Sequence, residues 1–313
     1  MRRLGGTFGH PARIIPAGFL AVITIGTVLL SLPIATTPAG GPPLLVAAFT
    51  SVSATCVTGL VVVDTPSYWT PFGHGVILAL IQVGGFGIMT GASLLGLLVA
   101  RRLGLRTRLR TQHETRTLDL GDVRQVVTRV AVLVIACEVA LATVLTLRFL
   151  VTYDYPPGRA LWHGVFHAVS AFNNAGFALY TNSLIRFVRD WWVCLPICVA
   201  VIVGGIGFPV LLELRRAWRR PRSWTIHTKL TVGMTGLLLL AGFGALLLFE
   251  SRNMATLGQL DGVDRTLAAI TQAVMPRTAG FNSVEIGFLR AETLTVMDAL
   301  MFIGGGSAGT AGG

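Results

Sequence analysis

Three short segments of this chain align without gaps, and that repeat restricts the fold more than any other feature. Aligned on Gly59, Gly176 and Gly280, they read FTSVSATCVTGLVVVDT, FHAVSAFNNAGFALYTN and ITQAVMPRTAGFNSVEI. A large apolar residue stands ten positions before the glycine (Phe49, Phe166, Ile270), and another follows it (Leu60, Phe177, Phe281). A glycine pair recurs downstream as Gly84-Gly85, Gly204-Gly205 and Gly304-Gly305, at 25, 28 and 24 residues from the first glycine. Two landmarks in register three times mark an internal repeat.

Long apolar runs flank each segment. The spans predicted are Ile14–Thr36, Phe72–Ala100, Gln125–Val151, Asp190–Leu214, His227–Phe249 and, incompletely, Glu292–Gly313. Between them lie shorter apolar stretches ending in polar-glycine clusters: Leu44–Thr58, Ala160–Ala175 and Arg265–Ala279. Stretches of about 10–14 residues are more often re-entrant than spanning. Non-helical backbone at membrane depth is tolerated only inside protein or along a water-filled cavity. The unit is therefore span, pore helix, loop, span. The fold class expected is an all-α integral membrane protein of repeated membrane-pore-membrane units around a central pore. Repeats cover 14–100, 125–214 and 227–313, with basic linkers at 101–124 and 215–226.

Composition agrees. Of 313 residues, 53% are hydrophobic and only 12% charged, against roughly 25% charged in soluble domains. The net charge of +11 does not imply nucleic acid, because the charges cluster in short segments between apolar runs. Met1–Arg13, Arg101–Arg129 and Arg215–Lys229 are basic, which places them and the N-terminus in the cytoplasm. Cys194 and Cys198 read as two small buried residues on one helix face rather than a metal or redox site. His74, His163 and His167 have no ligand spacing.

The residues suit ion passage. A dehydrated cation needs oxygen ligands, and backbone carbonyls supply them without fixed charge. Turning carbonyls toward one axis needs backbone angles that glycine adopts at low cost. A pore helix aimed C-terminus first adds partial negative charge. Thr58, Asn174 and Thr278, just before the glycines, read as braces of the loop. The glycine pairs fit close helix packing and pore lining alike. Arg277 is expected to pair behind the third loop with Glu285 or Asp64. Glu138 is expected to make a hydrogen bond inside the bundle rather than to serve as a coupling or proton site. Asp298 could face the pore. Inverted repeats, the mark of many secondary transporters, are not what these three same-sense repeats resemble. No convergent His, Asp, Glu or Cys set suggests an enzyme.

VTGLVVVDT, SAFNNAGF and RTAGFN, with IQVGGFGIMTG and VIVGGIGFPVLLEL, resemble the Trk/Ktr/HKT superfamily of potassium transporters, in particular the bacterial Ktr-type membrane subunit. The resemblance covers essentially the whole chain. It implies four membrane-pore-membrane repeats and potassium uptake across the bacterial plasma membrane, with another cation such as sodium, or another small solute, as the alternative. It implies a selectivity filter of Val57, Thr58, Gly59, Asn174, Ala175, Gly176, Thr278, Ala279 and Gly280. A glycine at position 59, rather than serine, goes with potassium. The implied gate is Gly304, Gly305, Gly306, Ser307, Ala308, Gly309, Thr310, Ala311 and Gly312, where six glycines in the last ten positions preclude a regular helix. Implied partners are a second copy of the chain, a cytoplasmic nucleotide-binding ring subunit and the lipid bilayer. No covalent cofactor is implied; potassium is the substrate, with sodium open as a coupling or activating ion. Three repeats are present of the four expected, so the expectation is of a chain truncated before the fourth.

Overall fold

The computed structural model describes residues 11–38, 40–107 and 120–312. Residues 1–10 of the first basic segment, 108–119 of the first linker and Gly313 lie outside them. Among the described residues there are helices and loops and no β-strand.

The first unit comprises α1 (Pro11–Leu30), α2 (Leu44–Thr55), the single turn α3 (Thr65–Tyr68) and α4 (Pro71–Thr107). The second has α5 (Leu120–Thr152), α6 (Pro157–Phe172), α7 (Trp191–Ile206) and α8 (Phe208–Ala217). The third has α9 (Ile226–Glu250), α10 (Gly262–Val274) and α11 (Ala291–Ile303). Among the described residues, three single helical stretches are long and apolar enough to cross a bilayer: Pro71–Gly91, Val127–Thr152 and Ile226–Glu250. Leu230, Leu237, Leu240 and Leu248 are all exposed along α9, where a water-soluble helix would be polar.

Three expected spans are corrected. Glu292–Gly313 is helical only to Ile303, where Gly304 at φ 65° ends α11. Asp190–Leu214 is not one helix: α7 and α8 meet at Gly207 with a bend of 103°. Gly207 has φ +99°, outside any helix, and Pro follows Phe208. Ile14–Thr36 is shorter than expected, because α1 stops at Leu30, just ahead of Pro33. In the opposite direction, α4 runs beyond Ala100 to Thr107.

At the end of the bundle away from α8, the two long helices of each unit are tied by a polar clasp. In the first, Thr70 Oγ1 donates to the Ile34 carbonyl (2.6 Å) and the Thr70 amide to Ala35 (3.0 Å). In the second, Asp190 pairs with Arg148 (2.9 Å), accepts from the Tyr153 hydroxyl (2.9 Å) and caps α7 at Trp192 N. Burial and the neighbouring Asp190 raise the Tyr153 phenol above its ordinary pKa. In the third, fully buried Glu250 accepts from Thr256, Thr293, Asn253 and the Arg290 amide at 2.6–2.8 Å. These clasps hold the outer frame while the loops between converge.

Candidate functional site

The three pore helices end in the same way. Val57, Asn174 and Thr278 have φ of 55°, 56° and 67°, and Gly59, Gly176 and Gly280 follow two residues later at 79°, 72° and 75°. The residue between them has no positive φ in any of the three. A left-handed residue past the last turn is how a helix is stopped and its chain turned aside. Here the position falls to Val, Asn and Thr instead of Gly. A β-branched residue at positive φ is a true outlier, and such strain persists only where the surroundings enforce it.

The enforcing contacts repeat in the first two units. The Thr58 amide donates to Ser53 O and the Ala175 amide to Ser170 O, both at 2.8 Å. Ser53 Oγ donates to Leu60 O and Ser170 Oγ to Phe177 O, both at 2.7 Å. The serine thus fixes the residue after the glycine from one turn back. Sequence reasoning missed these serines, although the shared Val-Ser-Ala at 52–54 and 169–171 marked them. The third unit has Val274 there, and its loop is held by Gln272, whose Oε1 accepts from the Ser283 amide (3.1 Å).

The loops bring the three glycines together. A methyl group on Gly59 would stand 2.5 Å from the Ala175 carbonyl oxygen. On Gly176 it would lie 2.7 Å from Ala279 O and 2.8 Å from Gly280 Cα. On Gly280 it would meet Gly176 Cα at 3.1 Å. No Cβ fits at Gly59 or Gly176 and one at Gly280 would be tight, so backbone approaches backbone. Val57, Asn174, Ala175 and Ala279 are buried behind this junction, and Thr278 is half-buried. Thr58 is exposed, and its side chain makes no hydrogen bond among the described residues, a correction to its expected bracing role.

The glycine pairs of the second spans pack on the pore loops. Gly84 lies against the Thr55 carbonyl and Gly85 against the Asn173 side chain; Gly204 lies against the Phe172 carbonyl. A side chain at any of these would strike the end of a pore helix. Behind the second loop, Asn173 Nδ2 donates to Glu138 (2.9 Å), which also accepts from Gln82 Nε2 (3.2 Å). Glu138 therefore makes the internal hydrogen bonds expected of it, and they join the first unit to the second. His163 reaches the Tyr180 hydroxyl (2.9 Å) and His167 Nε2 accepts from the Leu179 amide (3.3 Å), so both brace the same loop. Cys194 and Cys198 are buried on one face of α7, where the Cys194 thiol donates to Phe187 O (3.1 Å).

Beneath the glycines lies the loop 304–312. It leaves α11 at Gly304 (φ 65°) and closes on itself through Gly305 N to Gly312 O, 2.8 Å. It is pinned to the break in α7. Gly306 N donates to Gly205 O (2.6 Å), Thr310 N to Gly204 O (3.1 Å), and Phe208 N to Ala308 O (3.3 Å). The first two satisfy carbonyls that the end of α7 leaves open, and the third an amide at the start of α8. It is also pinned to the glycine loops. Thr310 Oγ1 donates to Phe172 O (3.1 Å), and the Asn174 amide nitrogen donates to Thr310 Oγ1 and Val201 O, each at 3.2 Å. Gly312 N donates to Thr278 Oγ1, 3.1 Å. Ser307 and Gly309 fill the space beside Gly207.

Arg277 does not form its expected ion pair. Its Nε donates to the Gly304 carbonyl (3.3 Å), and no carboxylate pairs with it among the described residues. Asp64 is engaged by Ser67 and Thr181, and Glu285 is exposed. The guanidinium turns to the side of the glycine loop on which residues 304–312 lie. Asp298 is on the exposed face of α11.

Residues 9–313 match the family model described as TrkH, cation transport protein. The chain belongs to the TrkH family of cation transport proteins. It is 43% identical over 307 residues to the Ktr system potassium uptake protein B of Bacillus subtilis, covering 97% of this chain and 67% of that one. It is 36% identical to the protein of the same name from Vibrio alginolyticus (97% and 66%). It is 31% identical to the potassium/sodium uptake protein NtpJ of Enterococcus hirae (97% and 66%). The crystal structure of the potassium transporter TrkH from Vibrio parahaemolyticus has the same fold, with a TM-score of 0.69 at 20% identity, covering 100% of this chain and 60% of that one. The chain thus spans about two thirds of the length of the relatives it matches.

Proposed function

We propose that the converging glycine loops pass a dehydrated potassium ion and that residues 304–312 gate the path beneath them. The observation that carries this reading is the common backbone of Gly59, Gly176 and Gly280, each at positive φ and each in contact with a neighbouring loop. Carbonyls held by such a backbone can replace water around a cation, and the pore helices direct their negative ends to the same point. Val57, Thr58, Asn174, Ala175, Thr278 and Ala279 supply the neighbouring carbonyls. The uptake activities named for the relatives support potassium as the substrate. Sodium, as a second substrate or coupling ion, is the alternative that the NtpJ relative favours.

In this reading each repeat is one membrane-pore-membrane unit, at 14–100, 125–214 and 227–313. The protein sits in the bacterial plasma membrane as a homodimer, with the N-terminus and α8 on the cytoplasmic side. A cytoplasmic nucleotide-binding ring subunit regulates it. The test is cation flux into proteoliposomes holding the protein, compared with Gly176→Ser. Serine is strained at φ 72° by about 1–2 kcal/mol and collides with the third loop. The potassium-to-sodium flux ratio is expected to fall about tenfold. An unchanged ratio would remove Gly176 from the filter.

A further inference from the structure

The bend at Gly207 has a consequence at the surface. Because α8 leaves α7 at 103°, it runs across the end of the bundle rather than along it. Its height is fixed by Glu213, whose carboxylate accepts from the Thr225 amide (2.6 Å), the Thr225 hydroxyl (2.8 Å) and the Thr228 hydroxyl (2.5 Å). Those residues form the N-terminus of α9, whose membrane-crossing stretch begins at Ile226. So α8 lies level with the boundary of the apolar layer. Beyond Glu213 come Arg215, Arg216, Arg219, Arg220, Arg222 and Lys229, all exposed. Glu213 is the one carboxylate between Phe208 and Lys229, and its hydrogen bonds occupy it. None of the six cations is in an ion pair among the described residues. Trp218 is 69% exposed among them with Arg219 against its ring, and Trp224 Nε1 folds back to Ala217 O (2.9 Å).

We propose that α8 and the turn after it bind the phosphate headgroups of anionic phospholipids, and that this binding holds loop 304–312 in its bonded position. Clustered arginines beside a membrane helix are attracted to an anionic leaflet, and tryptophan favours the headgroup level. The link to the loop is direct: Phe208, the first residue of α8, donates to Ala308 O, and Ser307 and Gly309 pack on Gly207. Swinging α8 away would break the first bond and open the second contact. This coupling rests on reading 304–312 as the gate; the lipid site does not.

The test uses the protein in nanodiscs of phosphatidylcholine with or without phosphatidylglycerol. Native mass spectrometry counts retained lipid, and hydrogen exchange follows 204–217 and 304–312. Phosphatidylglycerol is expected to be retained selectively and to slow exchange in both segments. Stepwise Arg215→Gln, Arg216→Gln, Arg219→Gln and Arg220→Gln should weaken retention on the order of fivefold per arginine. Arg159→Gln with Arg252→Gln, at the far end of the bundle, should change nothing. Equal retention of the two lipids, or full retention by the quadruple variant, overturns the site. Equal protection by inorganic phosphate in neutral discs overturns the lipid assignment, as does protection that needs a cytoplasmic protein and ignores phosphatidylglycerol. Selective retention with unchanged exchange at 304–312 overturns the coupling alone.

Discussion

Glu138 shows how one residue serves a loop it does not belong to. It is 7% exposed, lies mid-way along α5, and no cation pairs with it among the described residues. Its two oxygens are taken by amide donors, Asn173 Nδ2 and Gln82 Nε2, from different units. Asn173 stands next to Asn174, whose backbone begins the turn to Gly176. Glu138→Gln keeps the shape and one acceptor. Glu138→Leu removes the acceptor of the half-buried Gln82 amide and one of the acceptors of Asn173 Nδ2, which keeps the Val169 carbonyl (2.9 Å), at about 1–3 kcal/mol in all. The expected outcome is near-normal thermal stability and potassium-to-sodium flux ratio for the glutamine variant, with both lowered for leucine. Equal loss in the two variants would mean that charge, not hydrogen bonding, is what the site needs. Arg277 gives the complementary case. From sequence alone, a buried cation calls for a carboxylate, so Glu285 and Asp64 were the natural partners. The partner found is a carbonyl, that of Gly304 where α11 ends, and no side-chain pattern marks a carbonyl.

At the scale of elements, the sequence exposes what repeats and hides what depends on distant contact. The pore helices and glycine turns recur at fixed offsets, so their existence was legible to within a few residues: Leu44–Thr58 became Leu44–Thr55, and Ala160–Ala175 became Pro157–Phe172. The break between α7 and α8 was not legible. VIVGGIGFPVLL is apolar throughout, Pro209 alone would only kink a helix there, and Gly204-Gly205-x-Gly207 also suits a close-packed helix. What opens the helix at Gly207 is the loop 304–312, about a hundred residues later, which takes up the freed carbonyls of Gly204 and Gly205. The dependence runs both ways. Gly207→Ala places a methyl group on the Ser307 carbonyl and strains a backbone at φ +99°. Repositioning of the loop is the expected result, seen as a raised basal cation leak from proteoliposomes and faster hydrogen exchange at 304–312. Wild-type leak and exchange in this variant would show that the loop does not lean on the break.

Over the whole molecule, the units are joined by a hand-over of the residue after each loop glycine. Phe177 is 1% exposed and belongs to the buried cluster of Trp69, Ile77 and Ile81 in the first unit. Phe281, also 1% exposed, belongs to that of Leu184, Phe187 and Val193 in the second. The second and third loops therefore each complete the core of the unit before, so the first and second units cannot settle their packing alone. That arrangement sets the glycines against one another, because a loop is located by its neighbour's core as well as by its own pore helix. The first loop is different: Leu60, Val61 and Val62 are 60%, 52% and 53% exposed. The three equivalent positions should therefore respond unequally to truncation in the 313-residue chain. Phe177→Ala and Phe281→Ala each remove a fully buried ring, at about 3–5 kcal/mol. Leu60→Ala removes a largely exposed side chain and should cost less than about 1 kcal/mol. Thermal unfolding of the three variants in one detergent measures the difference. If Leu60→Ala proves as damaging as the phenylalanine changes, the hand-over does not set the stability of the assembly, and each loop is held by its own unit alone.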